Sequence, residues 1–276
     1  HKDDCMRCAR HLEEHLKQLG MQKVQVFPTA GHPVVYGEWL GAPGKPTALV
    51  YGHYDVQPPD PLDLWRSKPF EPVVRDGKLF AGGAVDDKGQ VYMHVAAIEA
   101  HMKTAGKLPV NLKVVIEGEE ECGGSALDKF LHQHRAKLDA DVIVVSDTAM
   151  LGPDQPALTV ALRGILYTQI EVTGPSKDLH SGHFGGAVQN PANALATIIA
   201  GLKDGDGRIQ IPGFYDKVRD LTDAERAEMK KIPFDEVAYL HERGVPAPFR
   251  EKGWTTLERM SSRATGRSTG KSSRPG

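Results

Sequence analysis

The sequence predicts an α/β protein: a sheet of parallel strands with helices between them, followed by a second, α+β domain. Three observations carry this. Apolar runs of strand length at Ala48–Tyr51, Val110–Ile116 and Val142–Val145 alternate with helical patterns. The runs are nearly continuous, as strands covered on both faces require. After Leu158 the texture changes: Leu166, Thr168, Ile170 and Val172 alternate with Tyr167, Gln169 and Glu171, the period of a half-buried strand.

In chain order, Cys8, Leu12, Leu16 and Leu19 recur at helical spacing, and Gly20 stands where a C-terminal cap belongs. Strands at Val24–Phe27 and Val34–Leu40 follow, the second closed by the turn Gly41-Ala-Pro-Gly44. Between the first two long apolar runs lies a helix with Val91, Val95, Ile98 and Met102 on one face. A shorter helix near Ala126–His134 joins the second run to the third. A loop containing Gly and His runs from Gly174 to Gln189, and Asn190 and Pro191 read as the N-cap and first residue of a helix reaching about Leu202. Residues 203–250 are polar and give no clear period. Met260–Gly276 has none either, is rich in Ser, Gly, Thr and Arg, and reads as disordered. The expected organisation is therefore residues 1–162, residues 163–259 and a tail, 260–276.

Composition excludes several classes. The 276 residues are 40% hydrophobic and 25% charged, an ordinary globular balance that fits neither collagen nor a coiled coil. No apolar run approaches the roughly 20 residues of a membrane span. The chain begins at His1 rather than Met, so the natural start is expected to lie upstream; no secretory signal is legible. Of the 34 Lys and Arg, four lie in Ser261–Gly276, which leaves 30 against 36 Asp and Glu in the body. A mildly acidic body gives no reason to expect nucleic acid or an anionic membrane as partner. Cys5, Cys8 and Cys122 are too few for a disulfide framework and point to the cytoplasm.

The chemistry-bearing residues cluster at strand ends. The three apolar runs lead into His53, into Glu119-Glu120-Glu121 and into Asp147. In open α/β sheets, ligands bind outside the carboxyl ends of the strands, so these groups converge on one rim. His53 and Asp55 share a face if the strand continues, which would let the carboxylate orient the imidazole; alone, the pair could equally face solvent. Asp86 and Asp87 open a helix, either matching its dipole or offering a carboxylate that bridges two metal ions. Three acids in a row are a solvated loop, or a ligand beside a general base. Asp147 could also be a plain turn residue. His180 and Ser181 invite a triad reading, but they are sequence neighbours and no Gly-x-Ser-x-Gly elbow is present. Cys5-x-x-Cys8 falls on a helix without a second pair and reads as packing. His11, His15, His94, His101, His132 and His134 sit in helical patterns and are expected at the surface.

Taken together, Tyr51-Gly-His-Tyr-Asp-Val-Gln-Pro-Pro59, Ala84-Val-Asp-Asp-Lys-Gly89, Glu117-Gly-Glu-Glu-Glu121, Ser146-Asp-Thr148 and Lys177-Asp-Leu-His-Ser-Gly182 resemble the dinuclear zinc peptidases that include carnosinase, bacterial dipeptidases and aminoacylases. The dipeptidase branch is the most similar. The resemblance runs from about Cys8 to Arg259 and implies a catalytic sheet, here its N-terminal part, with an inserted α+β lid and dimerisation domain, here partial. It implies two divalent ions, Zn2+ first, with Mn2+ or Co2+ possible. By resemblance His53 and Asp147 ligate one ion, Asp86 bridges both, Glu121 ligates the second, Asp55 orients His53, and the Asp86–Asp87 peptide is cis. Glu120 is similar to the general base that activates a metal-bridged water against a dipeptide or short-peptide amide. His180 looks like the lid residue that stabilises the oxyanion in a partner subunit, which implies a homodimer.

Two departures stand out. Ala81-Gly82-Gly83 replaces a Gly-Arg-Gly, and nothing after Arg259 resembles the segment that brings the second metal's His and the substrate-carboxylate contacts. An abrupt change into biased sequence resembles a shifted reading frame, with a natural disordered tail as the alternative. The expectation is a chain weakly active or inactive by itself. An N-acyl-amino-acid amidohydrolase and a non-catalytic remnant are the rival readings.

Overall fold

The structure is a computed structural model and describes residues 2–152, 154–159, 162, 167–249 and 251–263. The chain divides into two compact units, His1–Met150 and Leu151–Gly276. The division falls before the expected boundary at 162, because the last strand of the sheet ends at Val145.

In the first unit, helix α1 (Lys2–Gln18) precedes strands β1 (Gln22–Phe27), β2 (Val34–Trp39) and β3 (Thr47–His53). A small hairpin, β4 (Val73–Arg75) and β5 (Lys78–Phe80), leads to α2 (Lys88–Ala105), β6 (Asn111–Glu117), α3 (Ala126–Gln133) and β7 (Val142–Val145). α1 stops as its sequence dictates: Gly20 adopts φ +82, and the Met21 N–H returns to Leu16 O at 3.1 Å.

The main sheet has the order β1-β2-β6-β3-β7. β3 runs parallel to β6 and to β7, joined through α2 and α3, as the strand–helix alternation predicts. The expectation of a parallel sheet fails for β1 and β2. β2 is antiparallel to both β1 and β6. The link between β1 and β2 is too short for a crossover, and a short link permits only an antiparallel pair.

The near-continuous apolar runs resolve into two cores, one on each face of the sheet. Val35, Val50, Val114 and Ile116 pack with α1 residues Leu12 and Leu16 and α2 residues Val91, Val95 and Ile98. The intervening Val34, Tyr36, Leu49 and Val115 pack with Phe130 of α3. Each fully buried aliphatic side chain contributes about 1.5–3 kcal/mol relative to exposure. β7 departs from the pattern: Val142, Ile143 and Val145 are 50, 63 and 53% exposed, and among the described residues this strand has a neighbour on one side only. Cys5 and Cys8 pack against the α1 core as free thiols.

The second unit contains α4 (Ser181–Phe184), α5 (Pro191–Gly201), α6 (Asp223–Met229), α7 (Glu236–Glu242) and α8 (Thr256–Ser261). Asn190 caps α5 as predicted, its Oδ1 accepting from Ala192 N at 2.8 Å. The alternating strand at 166–172 is not formed. Leu166 lies outside the described residues, and residues 167–172 pair with no other strand among them. Alternation supplies one face, and a strand also needs a partner for its backbone groups. Residues 203–250, which show no period, hold two helices too short to display one: α6 is set by a capping box between Thr222 and Glu225, α7 by the Asp235 cap. The tail expected to be disordered starts in order: Met260 and Ser261 belong to α8, and Arg263 is 3% exposed. Residues 264–276 lie outside the described residues. Among those described, no helix is long and apolar enough to cross a membrane.

Candidate metal centre

Register places the site. Tyr51 pairs with Val145 across β3 and β7, so His53 and Asp147, each two residues further on, leave the sheet at one level. On the other side His53 pairs with Glu117, and a single 3-10 turn then carries Glu120 and Glu121. Asp86 and Asp87 arrive from the loop before α2, joined by a cis peptide bond as the resemblance implies. Gly52 makes the approach of α2 possible. A Cβ there would lie 2.5 Å from Val91 Cγ2 and 2.8 Å from Asp87 Oδ2.

His53 is fully buried and sits at the centre. Its Nδ1 is 3.1 Å from Asp55 Oδ1, and its Nε2 is 3.0 Å from Asp86 Oδ1 and 3.8 Å from Asp147 Oδ2. Asp55 does two jobs, because its Oδ2 also accepts the Glu121 N–H at 3.0 Å. The ligand-capable atoms fall into two groups that share the imidazole: His53, Asp86 and Glu121, and His53, Glu120 and Asp147, the atoms of each group lying within 4.8 Å of one another. Four of the residues singled out in the sequence, Asp86, Glu120, Glu121 and Asp147, are thus brought together around His53, with Asp55 behind it. Glu120, expected as the base, stands among the ligand-capable atoms. His180 lies in the other unit, exposed at the start of α4, where its Nδ1 accepts the Gly182 N–H at 3.0 Å.

The electrostatics call for a cation. With a proton on Nδ1 facing Asp55, the Nε2 lone pair points at carboxylate oxygens, and acceptors facing acceptors need a proton or a metal ion between them. The proton's share of this is visible. Burial opposes charging His53, but the Asp55 hydrogen bond and the charges of Asp55, Asp87 and Asp147 win, and its pKa rises to about 9. Burial, aided by Asp147 and Asp86, pushes Asp87 up to about 6. Glu120 also moves up, by desolvation and then by Asp147, Glu121 and Asp55. Burial works against ionisation of Asp55 too, yet the His53 bond and the Glu121 N–H hold its carboxyl below the usual range. One imidazole and several carboxylates suit a borderline ion such as Zn2+ and accommodate Mn2+. The residues therefore fit divalent metal.

Several supporting residues lie inside the quoted motifs but had been given no role from the sequence. Gln57 Nε2 donates to Glu121 Oε2 at 2.6 Å, and Lys88 Nζ donates to the Tyr54 carbonyl at 2.7 Å, pinning the start of α2 to the end of β3. Tyr51 donates to the buried Glu117 at 2.7 Å. Their roles come from folded contacts that the motifs do not spell out. His134 and His94, expected at the surface, are both partly buried. His134 stacks on Phe27 and Phe130, with centroids at 4.8 and 4.6 Å. His94 bonds Ser146.

Comparison with known proteins agrees with this geometry. The model of peptidase family M20/M25/M40 matches residues 49–276. The chain belongs to that family. The match continues past Arg259, where the resemblance in sequence was expected to stop. Among curated relatives, the chain is 43% identical over 225 residues to the Cys-Gly metallodipeptidase DUG1 of Candida albicans, covering 79% of this chain and 46% of the relative. It is 38% identical over 205 residues to the Beta-Ala-His dipeptidase of Mus musculus, covering 74% and 42%. Among solved structures, an M20 family metallo-carboxypeptidase, Sso-CP2 of Sulfolobus solfataricus, superposes with TM-score 0.76 at 36% identity, over 96% of this chain and 62% of that one. The chain spans about half the length of the curated M20 relatives it matches.

Proposed function

We propose that this chain carries the metal centre of a dipeptidase that hydrolyses the amide bond of dipeptides or short peptides. The observation that carries the reading is the convergence of His53, Asp86, Glu120, Glu121 and Asp147 on one sheet rim, in a chain 43% identical to a Cys-Gly metallodipeptidase. His53, Asp86, Glu121 and Asp147 would hold two divalent ions, Zn2+ first, with Mn2+ or Co2+ as alternatives. Such ions supply polarisation of the scissile carbonyl and acidify an attacking water.

The chain's own groups do the rest. Glu120 takes the proton of the attacking water and returns it to the leaving amine. Its raised pKa suits a base that must hold a proton and then release it. Asp55 keeps the His53 proton on Nδ1, so that Nε2 faces the ligands. In His180, Nδ1 accepts from backbone, so the neutral ring carries its proton on Nε2, free to donate to an oxyanion. We assign that oxyanion to a partner subunit's site, in a homodimer built by the domain at 163–259. Three free cysteines fit a cytoplasmic setting.

Because the 276 residues span about half the length of the relatives, activity in this chain alone is expected to be weak or absent. The test is hydrolysis of a Cys-Gly dipeptide, an N-acetyl amino acid and a longer peptide, with and without chelator. Slow, chelator-sensitive dipeptide cleavage that Glu120→Gln lowers about 100-fold or more, with metal still bound, supports the reading. Cleavage indifferent to Glu120→Gln removes the base. Preference for the N-acetyl substrate favours the deacylase, and brisk dipeptide turnover overturns the expected weakness.

A further inference from the structure

Of the three strand ends that form the metal centre, the exit of β7 is the least supported. β6 lies between β2 and β3, and β3 between β6 and β7, but among the described residues β7 pairs with β3 alone. Its side chains are largely exposed, so packing does little to fix the strand that delivers Asp147. The Asp147 carboxylate does not anchor itself either, since it is 3.8 Å from His53 Nε2, beyond hydrogen-bond range. Asp147 is the middle residue of a tight turn closed by Thr148 N–H to Ser146 O at 2.7 Å, so its position follows that of Ser146. Among the described residues, one side-chain hydrogen bond ties residues 146–148 to the rest of the unit: His94 Nε2 to Ser146 Oγ, 2.7 Å.

His94 lies on α2 next to Val95, which is 1% exposed. The same helix begins directly after Asp86 and Asp87, and six residues of helix, about 9 Å, separate Lys88 from His94. One rigid element therefore grips the Asp86 loop at its start and the β7 exit two turns on. Desolvation lowers the pKa of His94, which keeps the ring neutral, the form suited to a hydroxyl partner.

We propose that His94 is a positioning residue of the metal centre, setting the place of Asp147 relative to His53 and Asp86 through Ser146. The inference rests on the reading of Asp147 as a ligand. Groups that orient a ligand from behind typically change metal affinity about 10–100-fold when removed.

The test is titration of the purified chain with Co2+, followed by calorimetry and by the visible d–d bands, with thermal melting of the metal-free protein as a control for folding. His94→Ala and Ser146→Ala are each expected to weaken binding about tenfold and to alter the d–d bands. The double variant should be no worse than either single one. His94→Gln, which can still reach the hydroxyl, should recover most of the loss, and His101→Ala, exposed on the same helix, should change nothing. Unchanged Co2+ affinity in His94→Ala overturns the proposal, as do additive losses in the double variant or a Gln variant as poor as Ala. Asp147→Asn separates the premise. If it weakens binding while His94→Ala does not, His94 fails alone; if it leaves binding unchanged, the ligand reading itself is wrong.

Discussion

In the second unit, Arg263 lays two nitrogens on Glu251, at 2.6 and 3.2 Å, and a third on Asp220 at 2.8 Å. Its guanidinium lies over Tyr215 and Trp254, and Arg226 covers Trp254 while reaching Glu258. Arg219 holds Glu225 bidentately. In the first unit, Asp55, Asp86, Asp87, Glu120, Glu121 and Asp147 surround a single imidazole, and the Lys88 ammonium is held on a backbone carbonyl instead. Identical side chains thus occupy opposite situations. The acids of the cluster in the second unit carry their own countercharge, whereas those around His53 have only the imidazole among the described residues. The difference shows in the titrations: Glu225 is pulled down to about 2 by Arg219 and Thr222, whereas Glu120 and Asp87 are pushed up.

Removing Asp86, the acid proposed to bridge the two ions, should break the comparison most completely. Asp86→Ala is expected to abolish metal binding by the first unit, read as metal-to-protein stoichiometry after gel filtration. Unchanged stoichiometry would refute the bridging role.

The next largest effect belongs to the second unit. Arg263→Ala leaves the buried Glu251 with only the more distant Arg208, at 4.0 Å, and loss of a buried pair typically costs up to about 3–5 kcal/mol. Chemical denaturation should report that loss while metal affinity stays at the parent value; a change within error would mean that the pair is not what holds this end of the chain.

The smallest effect sharpens the contrast through pH. His53 has a folded pKa of about 9 against an ordinary value near 6.5. The proton it gains therefore stabilises the metal-free fold fully below about pH 6.5, and that contribution, of order 1–3 kcal/mol, is lost as pH rises through about 9. Asp87, also raised, acts in the same direction at lower pH. Melting in chelator should fall across this range, and saturating Zn2+ should remove most of the fall, because ligation requires the deprotonated imidazole. A flat profile in chelator would show that the acids around His53 do not hold a proton there.

How much of this was readable in the sequence varied with the range of the interaction that decides it. Helix and strand identity in the first unit followed from apolar runs, because Val34–Trp39, Thr47–His53 and Asn111–Glu117 are buried on both faces and burial writes itself into composition. The convergence of His53, Glu120, Glu121 and Asp147 was readable for the same reason, since each lies at or just beyond the end of such a run, whereas Asp86 arrives from the loop before α2. The direction of β2 was not, because it depends on which strand is met in space. Nor was the alternating segment at 167–172, whose pattern needs a neighbour to become a strand. Arg263 was hidden in a Ser- and Arg-rich stretch, and its contacts with Glu251, Asp220 and two aromatic rings exist only in the fold. His94 carried the periodicity of a helix and nothing else.

The strand order β6-β3-β7 has one more consequence. Neighbouring strands lie about 4.8 Å apart, so the sheet acts as a ruler that fixes how far apart three donors can stand before any side chain is chosen. The residues that hold the ruler straight are the valines and isoleucines within the strands, while the residues that use it lie just beyond its end. Substitution at positions 120, 121 and 147 can therefore change the chemistry of the rim without disturbing the packing behind it. Selectivity and folding are written on different stretches of the same strands and can drift independently.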